Sequence, residues 1–427
     1  MKFYLDSIGC RLNQSEIEKF GREIRRNGHQ LTARPEEADL AIVNTCAVTA
    51  KASSDSRTRA RQLGKRTREG VVLTGCWSTL DVESALALPN VLHVVPNAAK
   101  PGLIQSILTA DQIELVGGML AREPLPGLRS RTRAFIKVQD GCDLSCTFCV
   151  TTIARGAGRS LPIAQIIDDI HYAQRGGAKE VVLTGVHLGS WGQDMDPMMS
   201  LEDLIFSILS DTDIQRLRLS SLEPWDLDEG FFSLWQDPRL CRHLHLPLQS
   251  GSDAILRRMG RRTTTQDFAE LVSSARSSIP GVAITTDIIA GFPGETPDDF
   301  LQTLEFIRSL HLAGGHIFTY SERKGTPAAR FPKKVPNRIR TERSSALRKV
   351  ISESRHRYYR DHLGSRQPVL WEAVSESGPD GLEIRGWTDN YIRVHYTGQR
   401  NLSNEITHVI LSELNSDGNT VRARHTE

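Results

Sequence analysis

The stretch Gly141-Cys142-Asp143-Leu144-Ser145-Cys146-Thr147-Phe148-Cys149 decides how the chain is read. It follows Ala134-Phe135-Ile136-Lys137-Val138-Gln139, a run that reads as a strand. The spacing is Cys-x3-Cys-x2-Cys, three cysteines within eight residues, with Phe148 just before the last. Three thiolates on one loop can wrap a metal cluster and leave one position open. A closed zinc site needs four ligands, and no fourth cysteine or histidine lies nearby. An open position suits an iron–sulfur cluster that binds a substrate or cofactor at one iron. Gly141 suits a tight turn out of the strand.

Downstream, strand candidates recur at 181–184, 216–220, 243–246, 282–286 and 315–318, with helical stretches between them. With 134–139 they make six strands, the pattern of a partial β/α barrel. Polar or glycine-rich motifs follow nearly every strand. Gly185 and His187 stand after one, Glu223 after another, and Gln249 and Asp287 after two more. Function at the carboxyl ends of barrel strands is the expected layout. Cys241 precedes a strand without cluster spacing and reads as structural.

Upstream, residues 1–100 repeat strand and helix. Strand candidates at 2–8, 40–43 and 71–74 stop at Gly9-Cys10, Asn44-Thr45-Cys46 and Gly75-Cys76. Such alternation implies right-handed crossovers and a parallel sheet, whose sites lie beyond the carboxyl ends of the strands. If the three strands are neighbours, Cys10, Cys46 and Cys76 converge on one edge. Buried free cysteines would be the bland alternative. Three at equivalent positions point instead to a second cluster with an exchangeable iron. Residues 122–133 hold two prolines, one glycine and four arginines, and read as a linker.

Composition agrees. The 427 residues are 39% hydrophobic and 24% charged, which is ordinary globular usage and excludes a disordered or fibrous chain. No apolar run approaches the ~18 residues of a spanning helix. The N-terminus meets Asp6 before any signal-like apolar region can form, so a cytoplasmic protein is expected. Seven cysteines are too few and odd in number for a disulfide framework. Net charge is only +2, so any nucleic-acid contact must come from local patches. Residues 323–366 contain fourteen Lys and Arg; counting Glu322, four acids oppose them, leaving +10. Arg338, Arg340, Arg343 and Arg348 form its centre, and Tyr358 and Tyr359 are interleaved. Residues 51–68 add seven bases against Asp55. Such segments can track phosphates, and aromatics can stack bases, although a charge run taken alone is more often a solvated helix face. Residues 367–427 switch to short alternating strands and read as a small β-barrel.

The cysteine loop resembles the cluster-binding loop of radical S-adenosylmethionine (SAM) enzymes. The whole chain resembles the methylthiotransferase family. The marks are Gly9-Cys10-Arg11-Leu12-Asn13-Gln14, Asn44-Thr45-Cys46, Thr74-Gly75-Cys76, the 142–149 loop followed by Arg155-Gly156, and Gly291-Phe292-Pro293-Gly294-Glu295. Asp143, Trp77 and Thr152 depart from the family's usual residues, and none is a cluster ligand. Trp387-Thr388-Asp389-Asn390-Tyr391-Ile392 resembles the TRAM domain, which implies RNA contact through Trp387 and Tyr391.

The resemblance implies two 4Fe-4S clusters. One, at Cys142, Cys146 and Cys149, would cleave SAM to a 5′-deoxyadenosyl radical. The other, at Cys10, Cys46 and Cys76, would deliver sulfur methylated by a second SAM. Phe148, Gly185, His187, Glu223, Gln249 and Asp287 would form the SAM and substrate face. The implied partners are a tRNA anticodon stem-loop and an electron donor such as a flavodoxin or ferredoxin, with no membrane. The strand-end motifs look most like the branch that modifies threonylcarbamoyladenosine. The isopentenyladenosine and ribosomal-protein aspartate branches are its alternatives. A non-catalytic RNA-binding iron–sulfur redox sensor is the alternative of another class. The expected α/β architecture is a parallel-sheet N-terminal domain (1–121), a linker (122–133), a partial (β/α)6 radical SAM barrel (134–360) and a TRAM-like β-barrel (361–427).

Overall fold

The computed structural model describes residues 1–108, 122, 123, 125, 132–379 and 381–425. Most of the expected linker lies outside the described residues. Contacts divide the chain into two units: residues 1–144, 149–176 and 184–186, and residues 145–148, 177–183 and 187–427.

In the first unit, β1 (Lys2–Ser7), β2 (Gln30–Leu31), β3 (Leu40–Thr45), β4 (Gly70–Gly75) and β5 (Val91–Val95) form a sheet in the order β2-β1-β3-β4-β5. The pairings are parallel. Every residue of β3 and β4 is buried, as expected of central parallel strands covered on both faces. Helix α1 (Arg11–Arg26) lays Ile17, Phe20 and Ile24 against Phe3, Ile42 and Val72. On the other face, Leu63 of α2 (Ala50–Gly64) and Trp77 of α3 (Cys76–Leu80) pack with Ala41, Val43 and Leu73. The two-residue edge strand β2 was not expected; it is too short to show a pattern. β6 (Arg133–Lys137) and the antiparallel pair β7 (Gln139–Asp140) and β8 (Arg159–Ser160) complete the unit's strands.

In the second unit, β10 (Arg216–Leu219) pairs in parallel with residues 180–183 of β9 (Glu180–Thr184). β11 (His243–His245), β12 (Ala283–Ala290) and β13 (Gly314–Thr319) form a second parallel set. A bridge between Ser221 and His245 continues the order from β10 to β11. Capping boxes at Ser200, Thr264 and Thr296 start three of the intervening helices.

One helix, Asn337–Asp361, occupies most of the arginine-rich segment. Beyond it, β14 (Arg366–Gly378), β15 (Gly381–Thr388), β16 (Arg393–Gly398), β17 (Ile406–Leu414) and β18 (Val421–His425) close a barrel in the order β14-β15-β16-β18-β17. The sequence suggested four of these strands. β18 escaped because only Val421 and Ala423 mark its inner face. Tyr359 enters the barrel core beside Trp371 and Val394. Arg242 holds Asp389 through two hydrogen bonds of 2.7 and 3.0 Å.

Candidate functional site

The register of the N-terminal sheet positions the first cysteine set. Thr45 is opposite Gly75, so Cys46 and Cys76 leave adjacent strands side by side, where neighbours are about 4.8 Å apart. Ser7 is opposite Asn44, which brings the β1 exit and Cys10 alongside. Two glycines permit this closeness. A Cβ on Gly9 would lie 2.5 Å from Cys46 Sγ, and one on Gly75 2.3 Å from the Thr45 carbonyl oxygen. Both have positive φ, +101° and +96°. Cys46 and Cys76 are buried and Cys10 is exposed. Burial pushes the Cys46 thiol up to about 11, with Cys10 and Cys76 adding to the rise. The three sulfurs therefore feel one another.

Support comes from other elements. The Cys10 thiol points at Asn13 Oδ1, 3.7 Å away. Asn97 Nδ2 lies 3.8 Å from Cys76 Sγ, and the Cys46 N–H donates to Ser56 Oγ at 3.0 Å. Beneath them sits a charged cluster that sequence reading missed. Glu16 accepts from Lys100 at 2.7 Å, from Lys137 at 3.1 Å and from Arg155 at 3.1 Å. Burial works against the Glu16 charge, yet Lys100, Arg155 and Lys137 outweigh it and hold the carboxyl well below its usual range. The signal was faint: a charged residue on the sheet side of amphipathic α1.

The second set lies on the 142–149 loop. In the first unit, the Leu144 N–H donates to Cys142 Sγ and the Thr151 N–H to Cys149 Sγ, both at 3.4 Å. The Cys142 N–H donates to the Gly156 carbonyl at 3.0 Å. Asp143, one of the departures, accepts from the Gly158 N–H at 3.1 Å. In the second unit, Arg261 Nη1 lies 3.8 Å from Cys146 Sγ. Arg261 is also held by Glu223 at 2.6 Å and stacks over Trp225 at 4.5 Å. Phe148 meets Phe292 edge-on. Among the described residues, no group of three Cys, His, Asp or Glu side chains is arranged to hold a metal ion as it stands.

The expected SAM-facing residues divide. Glu223 and His187 have protein partners, Arg261 and Asp226; His187 Nε2 is 2.7 Å from Asp226 Oδ2. Gln249 has φ +78° and forms a bridge with Ile288 through its backbone. Asp287 Oδ2 is 3.4 Å from His245 Nε2, while its Oδ1 is buried without a partner among the described residues. Ser220 Oγ and Trp225 Nε1, in the same unit, are buried without partners too. Such orphaned polar atoms fit a polar ligand that would satisfy them. In the first unit, Gly185 follows Thr184, whose Oγ1 is likewise orphaned. Sequence reading overlooked Arg261 and Trp225, which no spacing rule links to the cysteines. Cys241 is buried beside Arg218 and Glu180, and burial pushes its thiol up to about 12.

The expected RNA-facing residues need correction. Arg343 is 8% exposed and bonds Glu295 at 2.6 Å, so it is not a phosphate contact. Arg340 is half-buried and donates to the Tyr320 carbonyl at 2.6 Å. Tyr391 already stacks with His243 at 4.3 Å and Trp387 at 4.7 Å between ring centroids, and Arg218 lies over its ring at 4.9 Å, so its ring is engaged within the protein. Trp387 spends one face on that stack. Tyr359 is buried in the barrel, and the Tyr358 hydroxyl donates to the Gly281 carbonyl. Arg338 and Arg348 remain exposed, as do Lys349, Arg357 and Arg360.

Comparison with known proteins joins these features. Residues 136–307 match the Radical SAM superfamily, and residues 2–96 match "Uncharacterized protein family UPF0004". The radical SAM methyltransferase TsrM from Kitasatospora setae, solved with cobalamin and a 4Fe-4S cluster bound, shares the fold. Its TM-score is 0.56 at 15% identity, covering 77% of each chain. The threonylcarbamoyladenosine tRNA methylthiotransferase MtaB of Bacillus subtilis (strain 168) is 32% identical, covering 94% of this chain and 92% of its own. The tRNA-2-methylthio-N(6)-dimethylallyladenosine synthase of Geobacillus kaustophilus (strain HTA426) is 31% identical, covering 96% and 80%.

The protein is thus a radical SAM enzyme. Within that class, the chain belongs to the methylthiotransferase family. Among the described residues, no helix is long and apolar enough to cross a membrane.

Proposed function

We propose that the chain methylthiolates threonylcarbamoyladenosine beside the anticodon of tRNA. Methylthiolation rests on one observation above all: two sets of three cysteines, one on a single loop and one gathered by sheet register; the threonylcarbamoyl branch rests on likeness to the MtaB relatives. Cys142, Cys146 and Cys149 would hold the cluster that engages SAM, and Cys10, Cys46 and Cys76 the auxiliary cluster. A bound cluster with SAM supplies one-electron chemistry at an aromatic carbon, where no acidic proton is offered to a general base.

The protein's own groups prepare that chemistry. The Leu144 and Thr151 N–H groups donate to the Cys142 and Cys149 sulfurs and help fix where those sulfurs point. Arg261 faces the Cys146 sulfur and is itself fixed by Glu223. Ser220, Trp225 and Asp287 offer polar atoms to SAM or the modified base. On helix Asn337–Asp361, the exposed Arg338, Arg348, Lys349, Arg357 and Arg360 would attract tRNA phosphates and repel a basic ribosomal protein. A small one-electron carrier such as a flavodoxin or ferredoxin would serve as donor.

The dimethylallyl reading is kept because that relative is nearly as similar. Two tRNAs that differ only in the adenosine side group decide the matter. Turnover of the threonylcarbamoyl tRNA is the expected result. Turnover of the isopentenyl tRNA alone would refute the branch but spare the reaction class.

A further inference from the structure

Helix Thr151–Arg155 begins two residues after Cys149, and its last two residues reach toward the other cysteine set. Arg155 Nη2 donates to Asn13 Oδ1 at 2.8 Å, the same oxygen that faces the Cys10 thiol. The Ala154 carbonyl accepts from Asn97 Nδ2 at 2.8 Å, the same amide that faces Cys76 Sγ. Asn13 Nδ2 also donates to the Thr45 carbonyl, next to Cys46, at 3.1 Å. One short helix therefore braces the surroundings of all three sulfurs through two asparagines.

The same place carries an unusual charge. Among the described residues, Arg155, Lys100 and Lys137 pair with Glu16 and Asp140, which leaves one positive charge over within this set. The side chains of Arg155, Lys100 and Glu16 are 1%, 5% and 3% exposed. A surplus cation so deep is costly unless an anion answers it. Three thiolates around a four-iron core of charge 2+ sum to −1, and to −2 after one-electron reduction. The Arg155 charge is opposed by burial but favoured by Glu16 and Cys76, so the cysteines already lie within its field.

We propose that Arg155 is a positioning residue for the auxiliary cluster, and that the Arg155–Lys100–Lys137 surplus raises that cluster's reduction potential. This rests on the reading that Cys10, Cys46 and Cys76 hold a cluster. Cations stabilise the more negative, reduced state, and the effect is strong where water is excluded.

The test uses the full chain carrying Cys142→Ala, Cys146→Ala and Cys149→Ala, reconstituted anaerobically with iron and sulfide. Dithionite supplies the electron, being oxidised as the cluster is reduced, and electron paramagnetic resonance reads the reduced fraction. Arg155→Gln should lower the reduced-to-oxidised ratio at fixed potential on the order of tenfold, about 59 mV for one electron. Lys137→Gln should shift it the same way, and Glu16→Gln the opposite way. Arg155→Lys should restore most of the parental value. Lys137, 20% exposed, is the variant least at risk of misfolding. Opposite signs from Glu16→Gln and Lys137→Gln support the proposal, since structural damage alone would not produce them. Equal potentials with iron retained overturn it. A parental chain that holds no iron overturns the cluster reading itself, and this proposal with it.

Discussion

The two cysteine sets reach their places by opposite routes. Cys142, Cys146 and Cys149 share one loop, and two of their sulfurs take N–H donors from residues two positions along. Cys10, Cys46 and Cys76 are 36 and 30 residues apart and meet only because β1, β3 and β4 are neighbours in register. Their support comes from α1, α2 and residue Asn97. The loop set depends on local geometry, and the strand-end set on the packing of a whole sheet. Damage to the sheet should therefore be felt at one set first.

The largest expected effect separates the sets outright. Replacing Cys142, Cys146 and Cys149 with Ala should abolish 5′-deoxyadenosine formation. Replacing Cys10, Cys46 and Cys76 should abolish methylthio product while keeping some SAM cleavage. Either triple variant should carry about four irons per chain instead of about eight after anaerobic reconstitution. Loss of SAM cleavage from both would break the comparison.

The next effect acts on the sheet. Gly75→Ala forces a Cβ to 2.3 Å from the Thr45 oxygen at φ +96°. We expect a loss of about 1–3 kcal/mol in urea denaturation of the iron-free chain. Gly102→Ala meets no atom of the described residues within 4 Å and should stay within about 0.5 kcal/mol. Equal stabilities of the two variants would show that the close approach at Thr45 is not needed.

A pH profile sharpens the picture. The Glu16 carboxyl is held below its usual value of 4.5 by Lys100, Arg155 and Lys137 against burial. A depressed folded value means that its stabilising contribution is present above 4.5 and is lost as pH falls through the folded value. Stability of the iron-free chain should therefore fall on acidification below that point. Glu16→Gln should be less stable at neutral pH and show a flatter acid limb. Parallel limbs would remove Glu16 from the account.

The smallest effect concerns arginines. Arg338→Gln with Arg348→Gln should weaken tRNA binding a few-fold and make its log–log salt slope shallower by up to about 2. An unchanged slope would return these side chains to ordinary solvated surface.

The same local-versus-distant division explains what could be read from the sequence. The parallel sheet, the successive strands of the second unit and the cysteine spacings follow from patterns within a dozen residues, and the structure bears out the fold. β2 and β18 did not, because two residues or two apolar positions carry no period. Among the arginines of one helix, charge alone could not tell Arg343, paired with Glu295 across 48 residues, from exposed Arg348. Tyr391 looked free until β11 brought His243 against it. The Glu16 cluster draws on positions 16, 100, 137, 140 and 155, a set that only the folded chain assembles.

Helix Thr151–Arg155 makes chain length itself a constraint. From Cys149 to Arg155 the backbone completes little more than one turn, so the guanidinium's direction is fixed by a count of residues. One inserted residue would rotate it by about 100° while leaving the motifs on either side intact. Ile153, 50% exposed in the same helix, should tolerate many side chains. A library at this segment would then show a permissive alphabet and an unforgiving length.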